Sequence, residues 1–171
     1  MTESIKVLIV MGSDSDLPVM NEAAAALEKF GIGYEMTITS AHRSPKRTAE
    51  LASKAREKGI EIIIAGAGAA AHLAGVIASE TTLPIIGVPI DSSPLNGMDA
   101  LLATVQMPGG IPVASMAIGK AGAKNAGIFA AEILSTKYPE ISDKLSDFRS
   151  DMEEGVSKKA EKSGKVFKDS C

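Results

Sequence analysis

The chain has no tryptophan, only two tyrosines and only four phenylalanines among its 171 residues. That scarcity argues against aromatic platforms of the kind that stack single-stranded bases. Its single cysteine, Cys171, rules out a disulfide within the chain and a metal site built from cysteines. Excess positive charge is missing too. The 18 Lys and Arg are dispersed against 21 Asp and Glu, for a net charge of −3, whereas a nucleic-acid surface needs its basic residues gathered on one face. No apolar run is long enough to span a membrane, and no basic segment followed by an apolar stretch opens the sequence. These absences lead us to expect a soluble, cytoplasmic protein that engages neither nucleic acid nor membrane. No internal repeat is found.

What is present is a hydrophobic content of 45%, enough for one domain with a proper core. Strand and helix signals alternate, which predicts an α/β fold of three layers, a parallel five-stranded sheet covered on both faces. Strand one is Lys6–Met11, apolar on both sides as a buried parallel strand should be. A helix follows with Leu17, Met20, Ala24 and Leu27 at helical spacing, closed by Gly31. Strand two is Tyr34–Ile38, followed by a helix from Pro45 to Lys58 with Leu51 and Ala55 inward and Gly59 as its stop. Strand three, Ile60–Ala65, is β-branched and should be central. Its successors are a helix through Val76 and Ile77 and a fourth strand, Ile85–Val88. A long connection from Pro89 to Gly110, holding a short helix over Met98–Gln106, has the length of a functional loop.

The fifth strand is expected over Val113–Ala117, then a helix from Lys120 to Leu134 rich in Ala and Gly. Those small residues suit close packing within the subunit or against another, and the sequence does not choose between them. Ile141, Leu145, Phe148 and Met152 predict a terminal helix, with a mobile tail from Gly155 onward. The division is read as a catalytic α/β domain, residues 1–136, and a helical extension and tail, residues 137–171.

Polar chemistry collects at three strand ends. Ser40-Ala41-His42-Arg43-Ser44-Pro45 places a proton-exchanging imidazole and an anion-gripping guanidinium between a strand and a helix. The serine before proline should cap that helix, and open α/β sheets collect ligands at this level. An ordinary surface turn accounts for the stretch about as well. Gly12-Ser13-Asp14-Ser15-Asp16 offers accessible amides, hydroxyls and a carboxylate suited to ribose hydroxyls, yet Ser and Asp there are also ordinary helix caps. Gly66-Ala67-Gly68-Ala69-Ala70-Ala71 fits the dinucleotide pattern, with Asp91 at the spacing of a ribose-binding acid, so a nicotinamide-dependent oxidoreductase is a rival. The pattern falls on the third strand, however, and no catalytic domain follows. A receiver-type switch lacks its aspartate, because strand three ends Ala65-Gly66. His42 and His72 belong to no metal-binding motif, and no G-x-S-x-G elbow occurs.

Several blocks together resemble a known family, the class I N5-carboxyaminoimidazole ribonucleotide mutases of purine biosynthesis, over nearly the whole chain to about Leu134. They are Met11–Asp16, Ser40–Arg43, Ala65–Gly68 with Ala71-His72-Leu73, Val105–Val113 and Ala117–Gly122. The related direct carboxylases typically carry Lys after the same His, where this chain has Arg43, and they remain the nearest alternative. Ala69 stands where glycine is frequent and Ala74 where proline is. The resemblance implies a flavodoxin-like doubly wound fold and transfer of a carboxylate from the exocyclic nitrogen to C4 of an aminoimidazole ribonucleotide through bound carbon dioxide. It makes His42 the acid–base group. Ser13, Ser15, Asp16, Ser40, Ala41 and Arg43 would hold the ribonucleotide, with phosphate on Arg43 and ribose on Asp16. Gly66, Gly68 and Leu73 would border the base, and His72 would support the site in a role left open. It implies no metal and no cofactor, and a homo-octamer.

Overall fold

The computed structural model describes residues 4–162. Five strands form one all-parallel sheet: β1 (Ile5–Met11), β2 (Gly33–Ile38), β3 (Ile62–Gly68), β4 (Ile85–Ile90) and β5 (Ala114–Ser115). Their spatial order is β2-β1-β3-β4-β5. This is the flavodoxin-like order, whose direction reverses between β1 and β3, the place where such sheets leave a crevice. The helices are α1 (Leu17–Lys29), α2 (Pro45–Lys54), α3 (Leu73–Glu80), α4 (Met98–Val105), α5 (Lys120–Ser135) and α6 (Pro139–Lys162).

Residues on alternate sides of each strand feed two separate cores. Leu8 and Val10 of β1 and Ile63 and Ala65 of β3 join Ala52, Leu73, Ala74 and Ile77 from the α2 and α3 side. Met20 of α1 lies on the other face, against Gly66. Ala123, Ala126, Ala130 and Ala131 of α5 are fully buried. A β-carbon on Gly127 would lie 2.6 Å from the Ala23 carbonyl of α1, so glycine there permits the helices to touch backbone to backbone. The small residues at this point serve packing inside the subunit.

Several expected boundaries move. β3 begins at Ile62 and runs on through Gly68, and β4 continues through Pro89 to Ile90. The second helix stops at Lys54; a tight turn, Arg56–Lys58, then leads to Gly59 in the left-handed region at φ 84°. There Ala55 is buried but Leu51 is only half-buried. Leu17, expected inward, is 42% exposed because it opens its helix. β5 pairs only through Ala114 and Ser115; beyond it the Met116 amide bonds Gly87 and the Gly119 amide bonds Pro89 as the chain turns away.

The described chain divides into two compact units between Ala131 and Glu132, within α5. In the second unit Ile141, Leu145 and Phe148 are buried, whereas Met152 is 41% exposed. The tail expected from Gly155 is corrected as far as Lys162, which ends α6. After Gly155 and Val156 that stretch is Ser, Lys, Ala and Glu, dominated by good helix formers, and Glu154 pairs with Lys158 one turn on. Residues 163–171 lie outside the described residues.

Candidate active site

Strand register decides which residues meet. Met11 pairs with Ile38 of β2, so those two strands end level, and with Gly66 of β3, which runs two residues further to Gly68. The Gly12 amide then bonds the Gly66 carbonyl at 3.1 Å, and the Thr39 amide bonds Met11 at 2.9 Å. Three loops are thereby launched side by side at the crevice.

The first loop is braced by a reciprocal cap. The Ser13 amide donates to Asp16 Oδ2 at 3.1 Å and the Ser15 amide to Ser13 Oγ at 3.4 Å. The capping expected of Ser and Asp is therefore present, and it fixes the same residues toward the crevice. Asp16 is only 4% exposed. Burial pushes its carboxyl above the ordinary value, although bonds from Ser13, Ser15 and Gly12 partly oppose that.

The second loop is held by hydroxyls. Thr39 Oγ1 lies 2.9 Å from Thr48 Oγ1 and 3.2 Å from Ser44 Oγ, and the Ser40 amide donates to Ser44 Oγ at 2.9 Å. Helix α2 starts at Pro45 as expected, but Ser44 does not cap it. Its hydroxyl turns back to Ser40 instead, closing the loop that carries His42. Arg43 reaches across to the first loop, donating from Nη2 to the Gly12 carbonyl at 3.0 Å and from Nε to Ser40 Oγ at 3.4 Å. Most of its five donors stay open to an anion.

The third loop joins the second. His42 Nε2 lies 2.9 Å from His72 Nδ1, with ring centroids 4.9 Å apart and planes at 78°. One ring donates N–H and the other accepts, so each fixes the tautomer of its neighbour. Their strands, β2 and β3, flank β1, and the pair spans that strand's end. The preceding Ala69 adopts φ 51°, a left-handed conformation that costs alanine more than glycine.

Ser13, Ser15, Asp16, Ser40, Ala41, His42, Arg43, Gly68, His72 and Leu73 all line one cleft of about 290 Å³. Gly66 does not. A β-carbon there would lie 2.2 Å from Met20 Sδ, so its smallness serves the packing of β3 on α1. Gly12, Ala67 and Ala70, which belong to the stretches singled out in the sequence, also line the cleft, and so does Ser92, which was missed. Ser92 follows the end of β4 as the other site residues follow theirs, and that position was the signal for it. It is the sole contribution of the Pro89–Gly110 connection to this cleft.

The dinucleotide pattern finds no support in this geometry. Gly66 and Gly68 are strand residues, α3 starts only at Leu73, and Asp91 is absent from the cleft lining. Among the described residues no group of three potential ligands could hold a metal ion, and no helix is long and apolar enough to cross a membrane.

Residues 6–155 match the AIR carboxylase family. A relative from Pyrococcus horikoshii named N5-carboxyaminoimidazole ribonucleotide mutase is 62% identical over 90% of this chain and 86% of its own. One of the same name from Thermotoga maritima is 59% identical over 92% and 91%. Among solved structures, Treponema denticola PurE superposes with a TM-score of 0.83 at 27% identity, covering 91% of this chain and 96% of its own. With a match of this length and relatives of this identity, the chain belongs to the AIR carboxylase family.

Proposed function

We propose that this protein is an N5-carboxyaminoimidazole ribonucleotide mutase, forming 4-carboxy-5-aminoimidazole ribonucleotide in purine biosynthesis. The observation that carries the reading is His42, gripped by His72 at 2.9 Å at the meeting of three loops in one cleft.

The chemistry needs one proton carrier. Protonated His42 gives its proton to the exocyclic nitrogen as the carbon–nitrogen bond breaks and carbon dioxide is freed. Ring carbon C4 then forms its bond to carbon dioxide and loses its proton to the neutral imidazole. The proton count returns to its start, so no metal, redox group or nucleotide cofactor enters the balance. Arg43 with Ser40 and Ser15 suits the phosphate, because the guanidinium keeps donors free beyond its bonds to Gly12 and Ser40. Asp16, held by the Ser13 amide, suits the ribose hydroxyls, and Ser13 and Ala41 adjoin them. Gly68 and Leu73 border the base. A wall of Ala67, Gly68 and Ala70 offers carbon dioxide no nucleophile. The working form is an octamer in the cytoplasm.

The test is an ultraviolet assay of carboxylate transfer on the N-carboxylated substrate, with chelator and without ATP or nicotinamide. Formation of the C-carboxylated isomer faster than through free carbon dioxide is the expected result. Activity only from the free amine with concentrated bicarbonate would refute the mutase reading in favour of a direct carboxylase.

A further inference from the structure

The polar side chains of the cleft differ in what they already hold. Ser13, Ser15, Asp16, Ser40 and Arg43 bond one another or the backbone, and His42 bonds His72. Ser92 is different: among the described residues no protein group bonds its hydroxyl. In open water that costs nothing. Once a ligand fills the cleft and displaces water, the hydroxyl must bond the ligand or be left unsatisfied.

Its position is set by backbone. Ile90 of β4 pairs with Gly68 of β3, and the chain then folds Ser92 over that glycine. A β-carbon on Gly68 would lie 1.7 Å from Ser92 Oγ and 2.9 Å from Ser92 Cβ. Any side chain at 68 would therefore expel the hydroxyl. Gly68 is small for the sake of Ser92, just as Gly66 is for Met20.

We infer that Ser92 is a substrate-binding residue that donates its hydroxyl to the migrating carboxylate and holds freed carbon dioxide against Gly68. The inference rests on the mutase reading. Arg43, Ser40 and the first loop stand at the β1–β2 side of the cleft, so the ribose phosphate belongs there. The transferred group is then left to the wall of β3 and β4, where Ser92 and His72 are the polar side chains. A neutral donor suits the task. A cation would favour the two anionic carboxylates over the uncharged intermediate between them and would deepen the ground state instead of easing the transfer.

The experiment follows transfer in the presence of isotopically labelled bicarbonate, scoring both turnover and label in the product. In Ser92→Ala, kcat should fall about tenfold, the worth of one hydrogen bond kept through the transfer, and solvent label should enter the product. KM should stay within about threefold. Gly68→Ala should reproduce this by displacing the hydroxyl, and Ser92→Thr, which keeps it, should retain the original carbon. Unchanged kcat and label in Ser92→Ala, or a loss confined to KM, would overturn the inference. Free exchange of label in the unaltered protein would overturn it as well. Absence of any transfer in the unaltered protein would instead refute the mutase reading.

Discussion

Adding a methyl group at Gly66 separates a packing role from a role in the site. The new β-carbon would lie 2.2 Å from Met20 Sδ and 3.0 Å from both Cγ and Cε. Ordinary heavy-atom contact begins at about 3.5 Å, so the thioether must retreat by more than about 1 Å. Met20 is fully buried in an interior packed as densely as an organic crystal. Overpacking of this kind costs about 1–3 kcal/mol, while alanine offsets about 0.5–1 kcal/mol through the unfolded chain. Gly66→Ala should thus lose about 1–2 kcal/mol. Met20→Ala alone opens a cavity and should cost about 2–5 kcal/mol. In the double variant the methyl fills part of that cavity, so the combined loss should fall short of the sum by about 1 kcal/mol or more. Urea unfolding followed by circular dichroism, at one protein concentration, measures all three. KM should move little in Gly66→Ala because the residue does not line the cleft. Additivity within about 0.5 kcal/mol, or full stability with activity lost, would refute the packing account.

His42→Asn keeps a polar side chain but cannot exchange a proton, so it should bind the ribonucleotide and turn over about 10²–10⁴-fold more slowly; full activity would sink the assignment. Arg43→Ala should raise KM about tenfold or more, as loss of a charge-assisted bond to phosphate requires; an unchanged KM would count against that contact. Thr48→Val removes a fully buried hydroxyl bonded to Thr39 Oγ1 and the Ser44 carbonyl. It should lose about 1–3 kcal/mol in urea unfolding, and unaltered stability would dismiss the hydroxyl chain as a brace. Asp16 gives a pH prediction. Its folded carboxyl is raised by burial, so folding prefers the protonated form. That contribution is fully present below the unfolded value and is lost as pH rises through the folded one. Asp16→Asn lacks this loss, so its stability relative to the parent should improve from acid toward neutral pH and then level off. A difference independent of pH would be the contrary result.

Signals that depend on neighbours along the chain were legible without coordinates. Alternation of apolar strands and helical spacing placed the sheet, the central position of β3 and the short helix in the long connection. Polar residues just beyond strand ends marked the loops that line the cleft. Boundaries were less legible where tertiary contacts override propensity. β3 runs on to Gly68 because β4 pairs with it there, and β5 shrinks to two residues because the chain leaves the sheet edge. Ser44 looked like a cap, yet its hydroxyl closes the loop before it.

The sequence by itself determined the layered α/β class, the loops that carry chemistry and the resemblance that set the expected reaction, because periodicity, turn residues and motif blocks are local. Which residues touch across those loops was decided only by the tertiary structure. His42 and His72, 30 residues apart, become partners because β2 and β3 flank β1 and leave the sheet at the same edge. Gly66 and Gly68 stand two residues apart on the same strand. Met20 occupies the space beside one and Ser92 the space beside the other. Strand order and register set those distances, and neither is written in any short stretch of chain.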